Sequence, residues 1–373
     1  MLFRSLDQAA AVLTETHAPL EYGRVLNAAA AQHRALGDAA RSLELFERAA
    51  ALLEVRSGAE EAAAAWSNVG LARCDHGNAA EAVKAFDRAL AVLGDHREAR
   101  IVATVLVNRG LAHFALGDFA SARADLTSGL ALDGPDTAPV QVGLAHHSLG
   151  QLAVGEGQPA VAIASFEAAL RIFTHNAFPG QHAIALFNLG VAHAAVGGLG
   201  GLRRAHWNLE AAANRFDPRV HAAHWQEVAR RLGEVVEQLA VLEPDTTVAQ
   251  HRATLLASTD EPERLAMTRV LFERFAARPD PQRRDAFADA AHAACSIGSA
   301  RALLETALFA LAELPDDVLR SGLAGQLEAH GRLDGDAVLT ADLLIDQVIQ
   351  HLFQGPQRVR FRDVLYALGW ERP

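Results

Sequence analysis

Cysteine is scarce in this chain, with Cys74 and Cys295 alone among 373 residues, and so are lysine (Lys84 alone), methionine and tyrosine (two each). Two thiols so far apart supply neither a disulfide framework nor a thiolate metal site, and their scarcity fits a reducing compartment. Only 6% of residues are aromatic. No apolar run approaches the ~20 residues that a membrane-spanning helix needs. Arg4, Asp7 and Gln8 interrupt the start, where a secretory signal would be continuously apolar. A cytoplasmic protein that does not enter a membrane is therefore expected. Basic excess is absent as well: the formal net charge is -11, and residues 1–240 and 241–373 are both acidic on balance. Binding of nucleic-acid phosphates asks for a concentrated basic face, so nucleic acid is not an expected partner. The bias to arginine and alanine reflects a GC-rich genome, which leaves arginine abundance without meaning of its own.

What the chain does have is a repeat. Gly37, Gly77, Gly117, Gly157 and Gly197 recur every 40 residues. Seven positions before each stands a small residue, Ala30, Gly70, Gly110, Gly150 or Gly190; nine positions after the first four stands a bulky one, Phe46, Phe86, Leu126 or Phe166. A second small residue follows at Ala49, Ala89, Gly129 and Ala169. Small residues let two helices approach closely and bulky ones fill the groove between successive pairs, so each unit reads as a helical hairpin. Pro19, Pro139 and Pro179 mark helix starts, where the missing N–H costs nothing.

Trp66, Val69, Gly70, Gly77, Ala82, Phe86 and Ala89 together resemble the tetratricopeptide repeat, W-x2-L-G-x2-Y followed by A-x3-F. Arg73, His33, His113 and His193 stand where that family has tyrosine, and its period is 34 residues rather than 40. Ala18-Pro19-Leu20-Glu21-Tyr22, Ala177-Phe178-Pro179-Gly180-Gln181-His182-Ala183 and Asn188-Leu189-Gly190 resemble the long-period bacterial arrays associated with CHAT proteases and signalling ATPases. The resemblance implies an all-α, right-handed α-solenoid over 1–242, with a lone capping helix at 2–14, five full repeats, and a sixth first helix starting at Asp217-Pro218. Residues 243–373 are read as a separate all-helical region, either a cap or a module, with proline-led starts at Asp260-Glu261-Pro262, Pro279-Asp280-Pro281 and Pro315-Asp316. Its last helix, near 359–368, carries Arg358, Arg360 and Arg362.

Asn68, Asn108, Ser148 and Asn188 fall at one register of the first helices, with Asn27 one place earlier in the first unit, and stacking would align them into a ladder. An amide offers donor and acceptor together and can hold an extended peptide by its backbone. The same side chains could instead tie each helix to a neighbouring turn. Asparagine at this register resembles the peptide-binding groove of the kinesin light chain repeat domain. By the same resemblance the concave face includes Arg24, Arg34, Phe114, His147, Gln151 and Phe187, which suits a mostly apolar peptide or partner helix with an acidic feature at the arginines.

Chemistry-bearing motifs are weak. His221, His224 and Glu227 share one helical face and are the best metal candidates, yet isolated histidines on such helices are usually structural, so no metal or cofactor is expected. The chain lacks G-x-x-x-x-G-K-[ST], G-x-S-x-G and E-x-x-H. The expected function is a non-enzymatic scaffold or adaptor with a peptide or protein in its groove. Two alternatives stand beside it: a ligand-responsive receptor controlling the C-terminal region, and a helical enzyme or metal protein. An uncapped array end would also allow a homodimer.

Overall fold

The computed structural model describes residues 18–94, 98–132, 139–216, 219–296, 300–330, 345–347, 349–350, 353 and 355–370. Among them the regular elements are all α-helices, and the fold is an all-α solenoid of the tetratricopeptide type. The lone helix expected at 2–14 and the start at Asp217-Pro218 lie outside the described residues. Packing divides the chain into two compact units, Met1–Ala192 and His193–Pro373.

Unit 1 consists of helical hairpins. Its first helices are α1 (Pro19–Ala35), α3 (Ala59–Asp75), α5 (Ala99–Ala115) and α7 (Pro139–Gly155). Their partners are α2 (Ala39–Arg56), α4 (Ala79–Leu93), α6 (Phe119–Ala131) and α8 (Pro159–Ile172), and α9 (Pro179–Val196) opens the next pair. Each turn works the same way. Gly37, Gly77, Gly117 and Gly157 take φ between 68° and 78°, a conformation that ends a helix cheaply only for glycine. The next residue donates its N–H five residues back: Asp38 to His33 O, Asn78 to Arg73 O, Asp118 to His113 O and Gln158 to Ala153 O, at 2.8–3.0 Å. Three of those same residues then cap the following helix, their side chains accepting from Arg41 N, Glu81 N and Ser121 N. In the fourth turn Pro159 at the helix start does without a side-chain cap.

The small and bulky registers meet as the sequence indicates. A Cβ on Gly70 would lie 2.5 Å from the Phe86 ring, one on Gly150 would lie 2.6 Å from that of Phe166, and one on Gly110 would lie 2.8 Å from Leu126. Phe46, Phe86 and Phe166 are among the most buried side chains of the unit, each worth about 1.5–3 kcal/mol in burial.

Polar side chains occupy the family's tyrosine position and do different work. Arg73 donates to Glu47 at 2.8 Å and to Glu81 at 2.9 Å, joining two second helices. His33 and His113 reach the turn carboxylates Asp38 and Asp118 at 3.1 and 3.4 Å. The third hairpin departs most. There Arg109 donates twice to Asp125, at 2.7 Å each, and once to Asp87 at 2.7 Å, while Asp125 is 8% exposed.

Unit 2 begins with a hairpin of α10 (Gly198–Ala213) and α11 (Ala222–Leu242), followed by α12 (Val248–Ala257), α13 (Glu261–Ala276), α14 (Asp280–Cys295), α15 (Ala300–Ala312), α16 (Asp316–His330) and α17 (Pro356–Ala367). From α12 onward the closest packing joins α12 to α14, α13 to α15 and α14 to α16, two helices along rather than one. This change of pattern comes after residue 242, where the forty-residue register stops. The core here is aromatic at its centre, with Phe272, Phe275 and Phe287 in mutual ring contact at 5.0–6.0 Å between centroids. The arginines of α17 serve the fold: Arg360 donates to Asp316, Ala312 O and Leu314 O, and Arg358 to Phe353 O and Gln350 O.

Candidate partner-binding surface

The surface is built from the first helices of unit 1, which pack directly against one another, α3 on α5 and α5 on α7. Their exposed and half-exposed positions step by three and four, as in Glu61, Ala64, Asn68, Leu71 and Asp75, which places them on one helical face. Across successive repeats this face is apolar through Leu71, Leu111, Phe114, Leu144, Ile184 and Phe187, all half-buried. Phe114 is in ring contact with exposed Phe119 at 5.6 Å.

The asparagine register is a staggered ladder. Where neighbouring repeats bond at this register the offset is 41 residues, which pairs 27 with 68 and 147 with 188. Asn68 Nδ2 donates to Asn27 Oδ1 at 3.1 Å. Asn188 Nδ2 donates to His147 Nε2 at 3.2 Å. Between them the buried Nδ2 of Asn108 has no hydrogen-bond partner among the described residues. Asn108 and Ser148 are buried, at 4% and 6% exposure. The end members of the ladder thus bond across repeats, and Gln151 stays half-exposed beside them.

Arg24 and Arg34 sit at the N-terminal edge, each already facing a carboxylate of the next first helix. Arg24 holds Glu61 through two hydrogen bonds of 2.6 and 2.9 Å, and this partnership keeps the Glu61 carboxyl below its usual range. Arg34 holds Asp75 at 2.5 Å. An acidic feature of a partner would compete with these two groups. Burial, with Asp75 adding to it, pushes the Cys74 thiol up, so it is a poor nucleophile at this surface.

His147 packs on the Phe166 ring at 5.5 Å between centroids, and burial pushes its pKa down to about 4. Accepting from Asn188 at Nε2 requires the neutral ring with its proton on Nδ1. In the unfolded chain a histidine titrates near ~6.5, so the unfolded state binds the extra proton first, and stability drains away as pH falls from there toward 4. We expect His147→Gln to flatten this acid limb in thermal melts between pH 7 and 4; an unchanged slope would assign the limb to other groups.

The metal candidates part company. His221 and His224 are exposed on unit 2 and lie against the Phe216 ring, at 5.8 and 5.4 Å between centroids. Glu227 is taken by Arg230 and Arg231, at 2.5 and 3.1 Å. Among the described residues, no group of three His, Cys, Asp or Glu is disposed to hold a metal ion. The Arg109–Asp125–Asp87 cluster was missed by sequence reasoning. Its signal was there: Asp125 stands at the register of Leu45 and Ala85, and Arg109 at that of Val69 and Leu149, two apolar positions that change together.

Residues 61–133 match the family model of the tetratricopeptide repeat. No curated protein matches the sequence. Solved structures with a similar trace include BtubC (BKLC) from P. vanneervenii, at 16% identity over 65% of this chain and 90% of that one, with a TM-score of 0.43. The MamA protein gives 14% identity over 60% and 96%, with a TM-score of 0.35. The repeats of a putative kinesin light chain from Podospora anserina give 16% over 61% and 99%, with a TM-score of 0.40. Likenesses of this size carry nothing about partner or role.

Proposed function

We propose, from the premise that residues 61–133 are tetratricopeptide repeats, that unit 1 is a protein–protein interaction scaffold. Its first-helix face takes an apolar peptide or partner helix. The observation that supports this reading is the apolar row from Leu71 to Phe187, half-buried on adjacent helices with its flanking cations neutralised by Glu61 and Asp75. The second-helix face is different: Arg41, Glu44, Arg48, Lys84, Asp87 and Arg88 are exposed along it, which suits solvent. Groups that tie one repeat to the next fix the spacing of the row, so the asparagine ladder shapes the face while Gln151, Phe114, His147 and Phe187 meet the partner. No helix among the described residues is long and apolar enough to cross a membrane.

Photo-crosslinking inside cells tests this. With p-benzoylphenylalanine at Ala64 or Gln151 on the first-helix face, and at Ala51 or Thr127 on the second, covalent protein adducts are expected from the first pair alone. Adducts from the second pair only would move the binding face to the other side of the hairpins.

A further inference from the structure

In unit 2 a cavity of about 880 Å3 opens between α12, α13, α14, α15 and α16. Its walls are largely apolar, with Leu256, Leu271, Phe272, Phe287, Leu303 and Leu304 prominent, and its size falls within the ~300–1,000 Å3 of small-molecule sites. Charged side chains interrupt them: Asp289 on α14, and two cations, Arg252 and Arg278, with the Arg278 guanidinium over the Phe275 ring, 5.5 Å from its centroid.

Behind Arg252 the charges do not balance. Arg252 Nη2 and Arg274 Nη2 donate to the same oxygen, Glu210 Oε1, at 2.5 and 2.6 Å. Arg215 lies near Arg274, with Glu273 as its one favourable carboxylate. Three guanidinium groups, those of Arg252, Arg274 and Arg215, thus stand against Glu210 and Glu273. His206, pushed down to about 4 chiefly by burial, adds no charge at neutral pH. Nε of Arg215 and both Nε and Nη1 of Arg274 are buried without a hydrogen-bond partner among the described residues. Each buried donor left unpaired costs about 1–3 kcal/mol, more when charged, and an anion nearby offsets the charge excess.

We propose that this cavity binds an apolar molecule carrying one carboxylate, its body against the phenylalanine and leucine walls and its carboxylate at Arg278, with Arg252 and Arg274 behind. A carboxylate presents two oxygens in one plane, which matches the guanidinium fork. The site lies wholly within unit 2 and does not depend on the first-helix face of unit 1.

Calorimetric titration of the full chain with decanoate and with 1-decanol, both below their aggregation limits, tests the assignment. Decanoate binds at one site per chain, and decanol about tenfold more weakly or worse, the factor expected for one charge-assisted contact. Arg278→Gln removes that difference, while Ala307→Phe, which fills the cavity, abolishes binding of both. Arg278 is exposed, so its variant carries the test even if Ala307→Phe fails to fold by circular dichroism. No decanoate binding, equal affinity for the alcohol, many sites per chain, or an Arg278→Gln variant indistinguishable from the parent would each overturn the proposal.

Discussion

Replacing Arg109 by alanine will lower the stability of the third hairpin by about 3–5 kcal/mol, because it leaves Asp125 buried without its partner. The reason lies in desolvation. Asp125 is 8% exposed and relies on two guanidinium hydrogen bonds of 2.7 Å, and these contacts hold Arg109 firmly in its charged form. The double change Arg109→Leu with Asp125→Leu behaves otherwise. It installs apolar residues that other repeats carry at these registers, Leu149 in the fourth and Leu45 in the first, and is expected to be neutral or to stabilise by about 1–4 kcal/mol. Denaturant melts read alongside hydrogen exchange of α5 and α6 check both values, since loss in a repeat array is felt most by nearest neighbours. If the double variant proves as unstable as Arg109→Ala, the pair contributes more than an apolar contact could.

The second large effect concerns Phe86 and Gly70. Truncating Phe86 to alanine empties the groove between α3 and α4 at about 3–5 kcal/mol. Gly70→Ala drives a methyl group to 2.5 Å from the ring and costs about 1–3 kcal/mol through overpacking. Combined, the two changes cost less than their sum, because the methyl of one enters the space vacated by the other. A double-mutant cycle measured by urea unfolding reads the difference directly. Strict additivity would mean that the ring and the glycine do not share a packing constraint.

These two sites mark where the sequence could be read and where it could not. The Gly70–Phe86 contact was legible because a small residue and a bulky one recur together at those registers from repeat to repeat, and each turn glycine announced its own geometry by recurring at the end of a helix. Arg109 and Asp125 were harder, being a single exception that makes sense only in pairs. The cross-repeat partnerships of Arg24 with Glu61, and of Asn68 with Asn27, escaped altogether. Alignment on a forty-residue period sets Asn68 opposite residue 28, whereas packing shifts the meeting point to 27, and that shift is a property of how helices lean on one another. Least legible was unit 2. From α12 onward its helices pack two along rather than consecutively, so no periodicity brings Arg252 and Arg274 onto one Glu210 oxygen.

The turns of unit 1 carry a consequence for how such a chain can change in length. Asp38, Asn78 and Asp118 each finish one helix with the backbone N–H and begin the next with the side chain. With both jobs on one residue, no spare position remains at which an insertion could be accommodated without undoing a stop or a start. The connections that follow α2 and α8 are under no such double duty, and they differ in length, Ser57–Gly58 against Phe173–Phe178. Growth of the array, whether by evolution or by a grafted loop, is therefore channelled to one edge of the hairpins. The opposite edge keeps a fixed geometry from repeat to repeat.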